Sequence, residues 1–214
     1  MVNWFVALAF ALGAWGGGGP TPTSPLSVWV VEGDSLSDSL ISDYPGLYLP
    51  NARPSVAAVD FAVAGSTLND AIARQATVDM VITTNRDAPR FIFSALIGGN
   101  GFCSAGSQCL LDQITALATY YDGRRAAGFK VVCITWTPRT TALFNPARNQ
   151  VNVAIRTWQG THCDAIADFA ADPIMGPDAA ASDVSLYSDG THPTALGHSY
   201  LEADIRPVLN GLLH

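Results

Sequence analysis

The stretch SVWVVEGDSLSD, residues 27–38, decides how the chain is read. Val28, Trp29, Val30 and Val31 are apolar in succession, with no polar alternation. That is the pattern of a strand buried on both faces, as in a parallel sheet. The run breaks at Gly33-Asp34-Ser35-Leu36-Ser37, placing a serine where the strand ends. Taken alone, Ser35-Leu36-Ser37-Asp38 is an ordinary helix N-cap signal.

Four further apolar runs fit strands, at 56–63, 90–97, 131–136 and 165–170. Between them lie segments with helical periodicity. Residues 68–86 place Ile72, Val78, Val81 and Ile82 on one side, and 110–121 and 151–158 carry similar stripes. Pro193 suits the first position of a last helix, with Leu196, Tyr200, Ile205 and Leu209 facing inward. Five alternations of strand and helix predict an α/β fold, an open parallel sheet with helices on both faces. In such sheets ligands bind beyond the carboxyl ends of the strands.

Composition bounds the rest. With 214 residues, 49% apolar and 14% charged, the chain suits one domain, placed at 26–214. The net charge is −7 and Lys130 is the only lysine, which makes nucleic acid and anionic membrane surfaces poor partners. Residues 1–25 join an apolar run, Trp4 to Trp15, to a Gly/Pro/Thr linker. The run is too short to span a bilayer. Its length suits a signal-peptide core, although no basic residue precedes it. Export is therefore expected, to a secreted or periplasmic location. A Cys103–Cys109 disulfide in the loop FCSAGSQC would agree. Cys133 is either a free buried thiol or the partner of Cys163.

The strand ends carry the chemistry. Gly65-Ser66-Thr67 follows the second run, Gly98-Gly99-Asn100-Gly101 the third, and Asp189-Gly190-Thr191-His192 precedes the last helix. These are the parts of acyl transfer. A serine hydroxyl needs an imidazole to take its proton, and the imidazole needs a carboxylate to orient it. The developing oxyanion needs N–H donors. Each block alone is a commonplace turn; what argues for a site is that all four fall at strand ends.

These blocks, in this order from Gly33 to His192, resemble those of the SGNH (GDSL) hydrolases. The resemblance implies a flavodoxin-like three-layer α/β/α sandwich with five parallel strands. It implies a metal-free acyl hydrolase, the family including esterases, lipases and carbohydrate acetylesterases. Ser35 would be the nucleophile, with Asp189 and His192 completing the triad. Ser35, Gly65 and Asn100 would form the oxyanion hole. Two departures stand out. Gly101 replaces the family's usual Asp after Asn100, leaving the Cys103–Cys109 loop to order that amide. Asp60 stands near where an Asn often precedes the glycine of the second block.

Phe102, Trp136 and Tyr187 are the expected substrate-binding residues, the loop 136–144 forming a wall. The absence of an extended apolar lid favours short acyl or acetyl esters, on a small molecule or a glycan. Two other functions compete. One is a carbohydrate-binding scaffold without turnover. The other is a phosphoesterase with a metal on Asp34, Asp189 and His192, for which the chain offers few clustered carboxylates. Asp34 is expected to brace the turn. His162 is expected to be structural, His198 to flank the pocket, and Asn69-Asp70 to cap a helix.

Overall fold

The computed structural model describes residues 26–52 and 56–213. The expectation for 1–25 lies outside them. Five strands form one parallel sheet: β1 (Ser27–Gly33), β2 (Val56–Asp60), β3 (Phe91–Leu96), β4 (Lys130–Ile134) and β5 (Ala165–Ala167). Their order is β2-β1-β3-β4-β5. This is the flavodoxin-like order, and its switch point lies between β1 and β3. Every residue of β1 is buried, as its unbroken apolar run requires.

Helices α1 (Tyr44–Tyr48) and α6 (Ala195–Leu213) pack together on one face. Trp29 meets Tyr48 edge to face there, ring centroids 5.4 Å apart. On the other face lie α2 (Leu68–Ala73), α3 (Gln75–Thr84), α4 (Gln108–Ala127) and α5 (Phe144–Arg156). Arg124 of α4 bonds to Asp79 and to the Gln75 carbonyl of α3. Tyr121 of α4 packs on Trp158 just past α5. The sandwich is thus three-layered.

Local chemistry sets the helix ends. The Thr67 hydroxyl accepts from the Asp70 N–H while the Asp70 carboxylate accepts from the Thr67 N–H, a capping box that starts α2. Asp70 is therefore a cap, as expected. Ser107 accepts from the Leu110 N–H to start α4, and Gly128 ends it in the left-handed region.

Several boundaries differ from expectation. The helix expected over 68–86 is broken at Arg74, whose backbone leaves helical geometry as its side chain turns inward to Glu32. Beyond Asp60 the chain still runs beside β1, with Phe61 N–H donating to Val31 O and Val63 N–H to Gly33 O, but without regular pairing. The fifth strand stops at Ala167, where a 3₁₀ turn, Phe169–Ala171, follows. The last helix begins at Ala195; Pro193 instead bridges to Tyr187, and Leu196 is exposed. Both cysteine pairs are disulfides, Cys103–Cys109 and Cys133–Cys163. The second pair joins β4 to the approach of β5, so Cys133 is not a free thiol. Among the described residues no helix is long and apolar enough to cross a membrane.

Candidate active site

Ser35 sits in the tight turn after β1, at the carboxyl edge of the sheet. Asp34 builds that turn: its backbone oxygen accepts from the Ser37 N–H, and its Oδ1 accepts from the Leu36 N–H. This bracing role is the one expected of Asp34. Ser35 Oγ lies 2.8 Å from His192 Nε2, although the two residues are 157 positions apart.

The second half of the relay is local. Ser188 N–H donates to His192 O and closes a small loop. Within it, Asp189 Oδ1 accepts from the Thr191 and His192 N–H groups, and Oδ2 lies 2.7 Å from His192 Nδ1. One carboxylate oxygen shapes the turn and the other orients the imidazole. Donation from the His192 backbone, then from its ring, holds the Asp189 carboxyl down at about 2. The carboxylate therefore stays ionised at neutral and mildly acidic pH. With Asp189 engaging Nδ1, Nε2 is left to accept from the serine hydroxyl.

The expected donors lie in the neighbouring turns. Gly65 lies exposed in the turn after β2 with φ +79°, and Asn100 ends the turn after β3. Among the described residues, neither the Ser35 nor the Gly65 N–H has an intramolecular partner. The Asn100 Nδ2 group donates to Asp34 Oδ2 at 3.2 Å and to Ser66 O at 3.1 Å. Its Oδ1 accepts from Arg139 Nη1 at 3.2 Å.

Two arginines brace these loops. Arg74 forks onto buried Glu32 and reaches the Ser66 hydroxyl, fastening the Gly65 turn to the end of β1. Burial raises the Glu32 carboxyl, and Arg74 opposes that rise. Arg139, itself buried, reaches Gly99 O, Asn100 Oδ1 and Asp34. Sequence reasoning missed both. A glutamate inside an apolar strand was the available signal for Arg74, because a buried carboxylate calls for a cation. Arg139 was visible only as one member of the wall loop.

The expected substrate residues divide. Phe102 is half-buried at the rim, edge-on to Phe144. Trp136 is buried and stacks on Phe144. Tyr187 is a correction: it has no exposed surface, and its hydroxyl donates to Met175 O, so it supports the fold from beneath. His198 lies near enough to His192 to feel its charge, yet is packed away from solvent. It is buried, accepts from the Tyr44 N–H at Nδ1 and meets Asp43 at Nε2, fastening α1 to α6. His162 pairs with Asp122 on the surface, as a structural residue would. Among the described residues no three His, Cys, Asp or Glu side chains converge as a metal cluster.

The site is open. The side chains of His192 and Asp189 are 44% and 56% exposed. A crevice lined by Asp34, Leu36, Gly99, Trp136, Arg139 and Phe144 measures only about 10 Å³. A groove of about 450 Å³ does exist, but it lies on α2, α3 and α4, lined by Ile72, Gln75, Asp112 and Tyr120 among others. It shares no residue with the Ser35 site.

Solved structures share this architecture. TesA superposes with a TM-score of 0.64 at 19% identity, covering 86% of this chain and 99% of its own. A GDSL-like lipase from Bacteroides thetaiotaomicron gives 0.62 at 14% identity, covering 91% and 92%. A catalytic mutant of the acetylxylan esterase Axe2 from Geobacillus stearothermophilus gives 0.62 at 15%, covering 86% and 94%. The fold is that of the GDSL hydrolases. No family model and no curated protein sequence matches the chain. The likeness to the GDSL fold therefore rests on shape, joined to the four short blocks.

Proposed function

We propose that the chain is a serine ester hydrolase acting on carboxylic esters through an acyl-enzyme on Ser35. The observation that carries this is the continuous relay Ser35–His192–Asp189, at 2.8 and 2.7 Å, beside two unpartnered backbone N–H groups. His192 Nε2 takes the Ser35 proton as Oγ attacks the carbonyl carbon. The carbonyl oxygen gains the negative charge, and the N–H groups of Ser35 and Gly65 receive it. Asn100 is the third donor, sharing one of the N–H bonds it now makes to Asp34 and Ser66. His192 then hands the proton to the departing alcohol. Water, activated by the same imidazole, attacks the acyl-enzyme and releases the acid.

The shallow, exposed rim supports a short acyl group, such as acetyl, carried on a bulky alcohol that stays outside. A sugar fits that description, and the fold is shared with an acetylxylan esterase. Both oxygens of Asp34 already accept from protein donors, which speaks against its use as a metal ligand. Residues 26–214 form the hydrolase domain in this reading. Two disulfides support export, with 1–25 as signal and linker.

Hydrolysis of p-nitrophenyl acetate and butyrate by wild type and Ser35→Ala, each with and without EDTA, tests the proposal. Activity should vanish with Ser35 and ignore the chelator. Activity that survives in Ser35→Ala would sink the mechanism. Turnover lost to EDTA would point to a metal, and glycan binding without turnover to a scaffold.

A further inference from the structure

We propose that Arg139 is the positioning residue that aims Asn100 at the oxyanion, replacing the carboxylate that Gly101 removes from this loop. The inference rests on the serine-hydrolase reading above and concerns one side chain of that site.

A carboxamide has two nearly isosteric ends, so something must decide which end faces the reacting carbonyl. Here Arg139 Nη1 donates to both Gly99 O and Asn100 Oδ1, each at 3.2 Å. A guanidinium carries only donors. If the Asn100 amide turned over, its NH₂ would face that cation, and its oxygen would face the Asp34 carboxylate and the Ser66 carbonyl. Both contacts would become repulsive. Arg139 therefore fixes Oδ1 against the guanidinium and leaves Nδ2 on Asp34 and Ser66 O, the residues that flank Ser35 and Gly65 in the chain.

The three side chains close on each other. Arg139 Nη2 lies 3.5 Å from Asp34 Oδ2, the same oxygen that Asn100 Nδ2 reaches. Asp34 Oδ1 holds the Leu36 N–H, in the turn that carries Ser35. Nucleophile turn and oxyanion amide are thus braced by one ion pair.

The surroundings are shaped to hold the guanidinium. It lies 4.8 Å from the Phe144 ring centroid, a cation–π arrangement. The Arg139 backbone N–H donates to Asn145 Oδ1. Gly99 leaves the space: a Cβ there would sit 2.5 Å from Arg139 Nη2. The Cys103–Cys109 loop, expected to order the amide, makes no hydrogen bond to the Asn100 side chain. That loop is tied further out, with Gln113 bonding to Gly98 O and the Cys103 N–H.

The test is a double-mutant cycle on p-nitrophenyl acetate with the full chain: wild type, Asn100→Ala, Arg139→Gln and the double variant. Asn100→Ala should lose roughly 10²–10³ in kcat, as for loss of one oxyanion donor. Arg139→Gln should lose roughly 10- to 100-fold in kcat with KM nearly unchanged, the mark of an interaction made in the transition state. In the Asn100→Ala background the same change should cost less than about 3-fold, because its effect passes through Asn100. A loss of equal size in both backgrounds would overturn the proposal. Gly99→Ala pushes a Cβ against the guanidinium and should show the same dependence on Asn100, so the test survives if Arg139→Gln fails to fold. A readout independent of turnover is the Asn100 side-chain NH₂ pair in ¹⁵N NMR. It should shift in Arg139→Gln or Gly99→Ala, and an unchanged pair in both overturns the proposal whatever the assay gives. An inactive wild type, or an active Ser35→Ala, would instead overturn the hydrolase reading.

Discussion

Asp189 does two jobs with one carboxylate, and they separate on substitution. Oδ1 accepts the Thr191 and His192 backbone N–H groups, while Oδ2 holds the ring. Asp189→Asn can keep the turn through its amide oxygen but presents an N–H to Nδ1. The imidazole is then pushed to the tautomer that cannot accept from Ser35. We expect a fall in kcat of roughly 10²–10⁴-fold with little change in melting temperature, measured by initial rates and thermal unfolding. A large stability loss with kcat preserved would show that the carboxylate serves only the turn. Asp189, held at about 2, stays a carboxylate across the neutral and mildly acidic range, so a fall in rate there would not come from its protonation.

The elements that carry the site are short, and cross-links secure them. The edge strand β5 has three residues, and Cys163, two positions before it, is tied to Cys133 in β4 across 30 residues. Cys103–Cys109 closes a separation of only 6. On a chain-entropy account the longer loop contributes about 3.5 kcal/mol and the shorter about 2 kcal/mol. Cys133→Ala with Cys163→Ala should therefore cost more in denaturant unfolding than Cys103→Ser with Cys109→Ser. The reverse order would place the main constraint in the loop after Asn100. Glu32 and Arg74 tie the end of β1 to the break between α2 and α3. Breaking such a buried pair from one side costs about 3–5 kcal/mol, since it strands a charge. Straightening that helix is therefore not available to the chain, despite a continuous helical pattern in the sequence.

Across the molecule, burial leaves several carboxyls easier to protonate than in the unfolded chain. Asp43, Asp60 and Asp204 are each pushed up to about 6. A raised carboxyl contributes stability that is fully present below the unfolded value, about 4, and is lost as pH rises through about 6. His198 acts in the opposite sense. Burial holds it at about 4, so the unfolded chain takes up its proton first as pH falls. Three groups against one predict a melting temperature higher at pH 5 than at pH 7, with a smaller rise in Asp204→Asn. A melting temperature that falls between pH 7 and pH 5 would show that His198 outweighs the aspartates.

The fold class, five strands in parallel, the helical segments that cover them and the four blocks at the strand ends were all legible in the sequence. The reason is local: periodicity, β-branched runs and turn residues act between near neighbours. The Asp189–His192 pairing was legible too, because three residues separate the partners. Other features depended on atoms far apart in the chain. Arg74 interrupts a helix to reach Glu32, 42 positions away. Arg139 meets Asn100 across 39 positions, and Tyr187 turns inward to Met175. Residue types and local spacing named the side chains that meet at the candidate site. Only tertiary packing decided which buried charges were paired, which aromatic faced the core, and how Asn100 is held without a carboxylate at position 101. A buried polar group takes whichever complementary partner the folded chain brings within hydrogen-bond reach, and no local pattern encodes that meeting.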